Sequence, residues 1–203
     1  MKLLLTLATM ALAQEEPDAK KFSGISQFAY SQVTTSYELS VFNKMIQNYG
    51  CHCFLQSERL AGGKGSPVDE MDDLCRKLSR CHSCVRQDYE YIDTHWGKYK
   101  YDISTGTIDC SANTDEGKLN HCLCDKEFAE GLGAIWDDSS YNIYYWKNKN
   151  NIAPTFDPES TCVAKEGPGT TDACCGTFPE RRPYASNMFD CCPDGKVKSI
   201  GGC

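Results

Sequence analysis

The chain has 203 residues, fourteen of them cysteine, and a formal net charge of −7. An acidic chain with only short basic groupings (Lys147, Lys149, Arg181-Arg182) excludes a nucleic-acid binder, which needs an extended basic face. The length allows one domain of ordinary size plus an appendage, and cysteines confined to Cys51–Cys203 suit disulfides in an oxidising compartment rather than a zinc cluster.

Residues 1–13 read as a secretory signal. Lys2 is the positive region, Leu3 to Leu12 is mostly apolar, and Ala11-Leu12-Ala13 is a small-x-small cleavage site. That apolar run is too short to cross a bilayer, and no later run is longer, so no transmembrane span is expected. Residues 14–38 are rich in Ser, Gln and Thr, carry no period, and read as a flexible polar leader. Leu39, Phe42, Met45 and Ile46 then recur at helical spacing.

Ser66-Pro67-Val68-Asp69 has the composition of a helix start, with Ser66 as cap and Pro67 in the first turn. Val68, Met71, Cys75, Leu78, His82 and Val85 mark one inward face of a helix reaching about Val85. The acidic run Asp69–Asp73 falls in its first turns, where the helix dipole favours carboxylates, and needs no metal to explain it. Residues 99–110 read as a hairpin around Ser-Thr-Gly-Thr. A second long helix spans about Asp115–Trp136, with Cys122, Asp125, Ala129, Leu132 and Trp136 on one face. Asp125 is thus a carboxylate on an inward stripe and requires partners.

Residues 137–161 are irregular and aromatic. From Cys162 the composition changes to Cys174-Cys175-Gly and Cys191-Cys192-Pro-Asp-Gly, a segment with little room for a core that bridges must hold. The chain therefore divides into 1–13, 14–38, a main domain over 39–162, and a Cys-rich module over 163–203. The paired cysteines of that module resemble galaxin-like repeats of extracellular matrix proteins.

Tyr49-Gly50-Cys51-His52-Cys53, Gly62-Gly63-Lys64-Gly65-Ser66-Pro67-Val68-Asp69 and Cys122-Leu123-Cys124-Asp125 resemble, in order, the calcium loop, first long helix and second long helix of secreted phospholipases A2. Phe42, Met45 and Ile46 are similar to that family's N-terminal helix, and the hairpin to its β-wing. The resemblance implies a mainly α fold: two long antiparallel disulfide-linked helices with a β-wing hairpin, followed here by the small disulfide-rich C-terminal module. It implies the bridges Cys53–Cys75, Cys81–Cys124 and Cys110–Cys122. Other family bridges are missing at both ends, at Leu74 with Gly131, at Tyr91 with Gly117, and at Ile103 with a shortened segment after Ile46. Cys51 matches a position that pairs near the domain's end, where Cys162 stands. Cys84 then pairs with a tail cysteine. In the alternative, Cys51 pairs with Cys84 and the tail closes on itself.

The resemblance also implies a calcium-assisted ester hydrolase, in which a helix histidine is the general base and the adjacent aspartate, with loop carbonyls, holds Ca²⁺. This chain reads Leu74-Cys75-Arg76-Lys77-Leu78-Ser79-Arg80-Cys81 there. Leu78 stands at the base and cannot accept a proton. Ser79 stands at the metal carboxylate, and a neutral hydroxyl is a poor ligand for a hard cation. Phe54 replaces the loop's first glycine, and Leu55–Ala61 include an insertion of roughly six residues, a length that surface loops tolerate. Loss of the base alone lowers such a rate by ~10²–10⁴-fold, so neither an intact catalytic site nor a calcium cofactor is expected. Asp125, Tyr99 and His82 remain. His82 lies one turn, about 5.4 Å, beyond Leu78, and the three read as a satisfied buried trio.

Two other readings of that trio stand beside this one. One is a displaced His82–Asp125 dyad of an active hydrolase; the other is a pH-sensitive buried pair. The leading expectation is a secreted, non-catalytic family member that binds phospholipid, through a channel lined by Leu39, Phe42, Ile46 and Leu78, or another extracellular protein. The rivals are the His82-dependent hydrolase and a structural matrix or biomineral component.

Overall fold

The computed structural model describes residues 23–47, 49–53, 63–89, 99–138, 156–163 and 170–203. The signal-like segment, the inserted loop with Phe54, Tyr91 and the aromatic run with Lys147 and Lys149 lie outside them. The chain forms α1 (Ser23–Gln32), α2 (Leu39–Gln47), α3 (Glu70–Tyr89), α4 (Glu116–Ile135) and the short α5 (Pro158–Thr161). Four three-residue strands follow: β1 (Ala173–Cys175), β2 (Arg182–Tyr184), β3 (Phe189–Cys191) and β4 (Val197–Ser199).

α3 and α4 are antiparallel, as their partners show. Leu74 meets Gly131, Cys81 bonds Cys124, and Asn120 donates to the Tyr89 hydroxyl at 2.7 Å, so numbers rise along one helix as they fall along the other. A Cβ on Gly131 would lie 2.8 Å from Leu74 Cδ2. An isobutyl group packed on a bare glycine thus fills the place where the resemblance implies a cross-link, and the helices pack there without one. α3 begins later than its sequence suggests. Asp69, not Ser66, supplies the cap: its Oδ1 accepts from Asp72 N at 2.9 Å, and Ser66 and Pro67 form the approach. α4 starts at Asp115, whose side chain accepts from Lys118 N.

The expected flexible leader is corrected. Residues 23–32 are α1, and Phe28 and Ala29 on it are fully buried. The Phe28 ring meets Tyr101 at 4.3 Å and Tyr99 at 6.0 Å, both edge-on. α1 is therefore the first helix of the main domain, and Phe42, Met45 and Ile46 sit on the next one, α2. Two apolar anchors without a helical stripe gave the segment its loop-like appearance, and contacts some 70 residues away in sequence order it. The link after α1 is fastened to the end of α4. Asp138 accepts from Ser36 N, Ser36 Oγ, Thr35 Oγ1 and Trp136 Nε1 at 2.6–2.9 Å. The Ser36 amide, the hydroxyls of Thr35 and Ser36, and Trp136 hold its carboxyl far below the usual carboxylate range.

The hairpin is present as one antiparallel bridge, Asp102 with Asp109, around a turn at Gly106. Ile108 and Cys110 face the core, while Ile103 is exposed. The described cysteines form Cys53–Cys75, Cys81–Cys124, Cys110–Cys122, Cys51–Cys162, Cys84–Cys174, Cys175–Cys191 and Cys192–Cys203. The alternative Cys51–Cys84 pairing is not formed. The C-terminal module is two small antiparallel sheets, β1–β2 and β3–β4, around Cys175, Ala185 and Cys192. It docks on α3: Cys174 bonds Cys84, Arg181 Nε pairs with Asp88 at 2.5 Å, and the Gln87 amide donates to the Asp172 carbonyl.

Among the described residues no helix is long and apolar enough to cross a membrane.

Candidate functional site

Side chains four residues apart share a helix face, so Leu78 and His82 point the same way from α3, and His121 and Asp125 do so from α4. Between the antiparallel helices these groups meet. His82 Nε2 lies 2.6 Å from Asp125 Oδ1, and the Tyr99 hydroxyl donates to Asp125 Oδ2. His121 Nε2 is 3.9 Å from Asp125 Oδ2. Its ring stands edge-on to His82 at 4.8 Å and to Tyr99 at 5.1 Å. His82 and Asp125 are 0% and 1% exposed, and Leu78 is 2% exposed beside them.

His121 was not among the sequence candidates. The signal was available, since it stands four residues before Asp125 on the same face. Burial drives its pKa down from 6.5 to about 4, with Asp125 opposing the fall and the His82 and Arg86 charges adding to it. For Asp125, burial pushes the carboxyl up, but His82 and His121, with the bonds from His82 and Tyr99, outweigh it and leave the group below the ordinary range. The cluster is a closed polar network in the core, with both carboxylate oxygens occupied.

A pH dependence follows from His121. The unfolded chain takes up a proton near pH 6.5, while the folded chain does so only near pH 4. Between those values the unfolded state binds more protons. Stability is therefore full above the unfolded pKa and falls as pH drops through the window, by about 3 kcal/mol in all. The Asp125 contribution is lost only below the ordinary carboxylate range. Urea midpoints of the wild type at a series of pH values should fall across the window, and His121→Leu should flatten that fall. An unchanged profile in the variant contradicts the assignment.

A second buried carboxylate organises the strand of chain ahead of α3. Asp72 is fully buried. Its Oδ1 accepts from His52 N at 2.6 Å, and its Oδ2 accepts from Cys51 N at 2.9 Å and Val68 N at 3.0 Å. Gly50 has φ +52°, and a Cβ there would stand 2.3 Å from the Asp72 carboxyl carbon, so this approach requires glycine. The Tyr49 hydroxyl donates to Asp69. Ser79 lies one residue past Leu78, buried at 7% exposure. The acidic run thus caps, cradles and pairs: Asp73 holds Arg76 and Lys77.

The expected channel residues are not gathered on an open surface. Phe42 and Ile46 are 0% and 1% exposed. Phe42 packs edge-on against Tyr30 of α1 at 5.5 Å and Trp136 at 4.8 Å. Leu39 is half-buried. Leu78 lines a cavity, but one facing the C-terminal module. Tyr30 of α1, a segment expected to be a flexible leader, packs on Phe42 and contributes to its burial.

The family model for phospholipase A2 matches residues 28–145, beginning inside α1. The chain is 39% identical over 100 residues to the group IID secretory phospholipase A2 of Mus musculus, covering 49% of this chain and 64% of that protein. It is 31% identical over 97 residues to an acidic phospholipase A2 homolog of Bungarus fasciatus, covering 47% of this chain and 76% of that protein. It is 40% identical over 97 residues to the membrane-associated phospholipase A2 of Mus musculus, covering 48% and 60%. The matched stretch thus spans less than two thirds of both Mus musculus relatives.

Proposed function

Because the chain belongs to the phospholipase A2 family, we propose that it is an extracellular member that has lost calcium-dependent hydrolysis and acts by binding phospholipid or an extracellular protein. The observation that carries this reading is the pair Leu78 and Ser79, held between the bridged positions Cys75 and Cys81. Those two bridges support the register in which an alkyl group occupies the position of the proton acceptor and a hydroxyl that of the metal carboxylate. Asp72, a buried carboxylate on the same helix, has both oxygens turned to backbone N–H groups, so it does not supply the carboxylate that a cation taking six to eight oxygen donors needs. We derive no step through calcium. The signal-like N-terminus and the disulfide density support the extracellular placement.

A second reading has one observation in its favour, the short His82–Asp125 contact. A hydrolase needs that imidazole within reach of a water and an ester. Here His82 has no exposed surface, and Tyr99 and His121 close the far side of the carboxylate.

The test is hydrolysis of phosphatidylglycerol and phosphatidylcholine vesicles by the disulfide-intact chain, with calcium and with chelator. The expected rate equals the protein-free control in both, while vesicle co-sedimentation reports binding. A calcium-requiring rate would overturn the proposal. A calcium-independent rate abolished by His82→Ala would instead establish the dyad.

A further inference from the structure

A cavity of about 620 Å³ opens between α3 and the C-terminal module, and neither His82 nor Asp125 lines it. Its floor includes Leu78, Phe128 and the Cys81–Cys124 bridge. Its walls carry six cations, Arg76, Lys77 and Arg80 from α3 and Arg181, Arg182 and Lys196 from the module. Only three carboxylates, Glu127, Glu180 and Asp194, line it with them. This concentration of positive charge sits on a chain whose net charge is −7.

Most of these cations are already engaged. Arg76 and Lys77 share Asp73, Arg181 is held by Asp88, and Lys196 lies 3.9 Å from Asp194. Arg80 and Arg182 are different. Among the described residues neither has a carboxylate within ion-pair distance. They come from separate parts of the chain and line the same cavity. Burial is the largest influence lowering the Arg80 pKa, the Arg76 charge adds to it, Asp73 opposes it, and the Arg182 charge adds the smallest share. The docking of the module on α3 is what forces this encounter, through Cys84–Cys174 and Arg181–Asp88. Both side chains are exposed, so solvent screens their mutual repulsion, and an anion between them reverses the sign of that interaction.

We propose that the cleft between α3 and the C-terminal module binds a tetrahedral oxyanion, a phosphate or sulfate group, through the guanidinium groups of Arg80 and Arg182. A guanidinium presents planar paired N–H donors that match such an oxyanion, and two of them on opposite walls suit a dianion better than a carboxylate. Half of the cleft is built from residues beyond position 145, where the family match ends, so this site belongs to the combination of domain and module. It does not depend on whether the main domain hydrolyses lipid, and its readout is binding alone.

Isothermal titration of the whole disulfide-intact chain, in Tris–chloride of low ionic strength, uses three probes: inorganic phosphate, inorganic sulfate and dihexanoyl phosphatidic acid below its micellar concentration. Saturable binding of at least one, with a Kd below about 1 mM, is expected. Tighter binding of the lipid than of phosphate identifies a headgroup, and equal binding identifies the free ion; both support the site. Arg80→Gln and Arg182→Gln should each weaken binding about tenfold and together abolish it, with Lys118→Gln unchanged. Arg80→Lys, which keeps charge but loses the fork, should fall between. Urea midpoints of the empty Gln variants should equal or exceed the wild type, since each removes repulsion. No saturable binding of any probe, or equal affinity in the double variant, overturns the proposal.

Discussion

Replacing Asp125 with alanine is expected to destabilise the fold by about 3–5 kcal/mol, the cost of removing a buried carboxylate and leaving the groups bonded to it unsatisfied. The loss is large because two donors are stranded at once, His82 Nε2 and the Tyr99 hydroxyl, in a region with 0% and 9% exposure. Asp125→Asn should cost much less. An amide can turn its oxygen to the Tyr99 hydroxyl and its NH₂ to an imidazole nitrogen acting as acceptor, so the network can close again. Urea unfolding of both variants measures the difference. Equal losses in Ala and Asn would mean that charge, rather than hydrogen-bond closure, holds the cluster together.

Asp72 should behave the other way, with the Ala and Asn variants both losing about 3–5 kcal/mol. All three of its partners are backbone N–H groups, one on Oδ1 and two on Oδ2. Every partner is a donor, so an asparagine NH₂ must face at least one of them, and no flip of the amide repairs that. The consequence reaches beyond stability. Cys51 and His52 lie in the strand that Asp72 fastens, and Cys51 bonds Cys162. Loosening it should raise hydrogen exchange at Cys51, His52 and Val68 in Asp72→Asn well before global unfolding. Protection at those amides equal to that of the wild type would show that the disulfides alone hold the segment.

The two carboxylates differ in how far they could be read from sequence. Asp125 was legible because it interrupts an apolar stripe, and a buried acid advertises its need for partners. Asp72 sits inside the run Asp69–Asp73, where the helix dipole already explains acidic residues, so its burial left no mark. For His121 the spacing to Asp125 was legible, but its burial was not. One polar residue at the edge of a stripe reads as surface until the ring from α3 and the ring of Tyr99 are known to enclose it.

Sequence alone determined the two long helices, whose period is a local property, and its resemblance to a known family implied the bridges that cross-link them and the place of the Leu78–Ser79 pair. Tertiary structure decided the rest. It made a helix of residues 23–32, packed Tyr30 of that helix on Phe42, joined Cys84 to Cys174, and set Arg80 and Arg182 on one cavity. Each of these is set by a surface that forms only when distant segments dock. A polar segment with two apolar anchors has too little helix signal of its own, and a charge carries no record in its neighbours of the charge it will face.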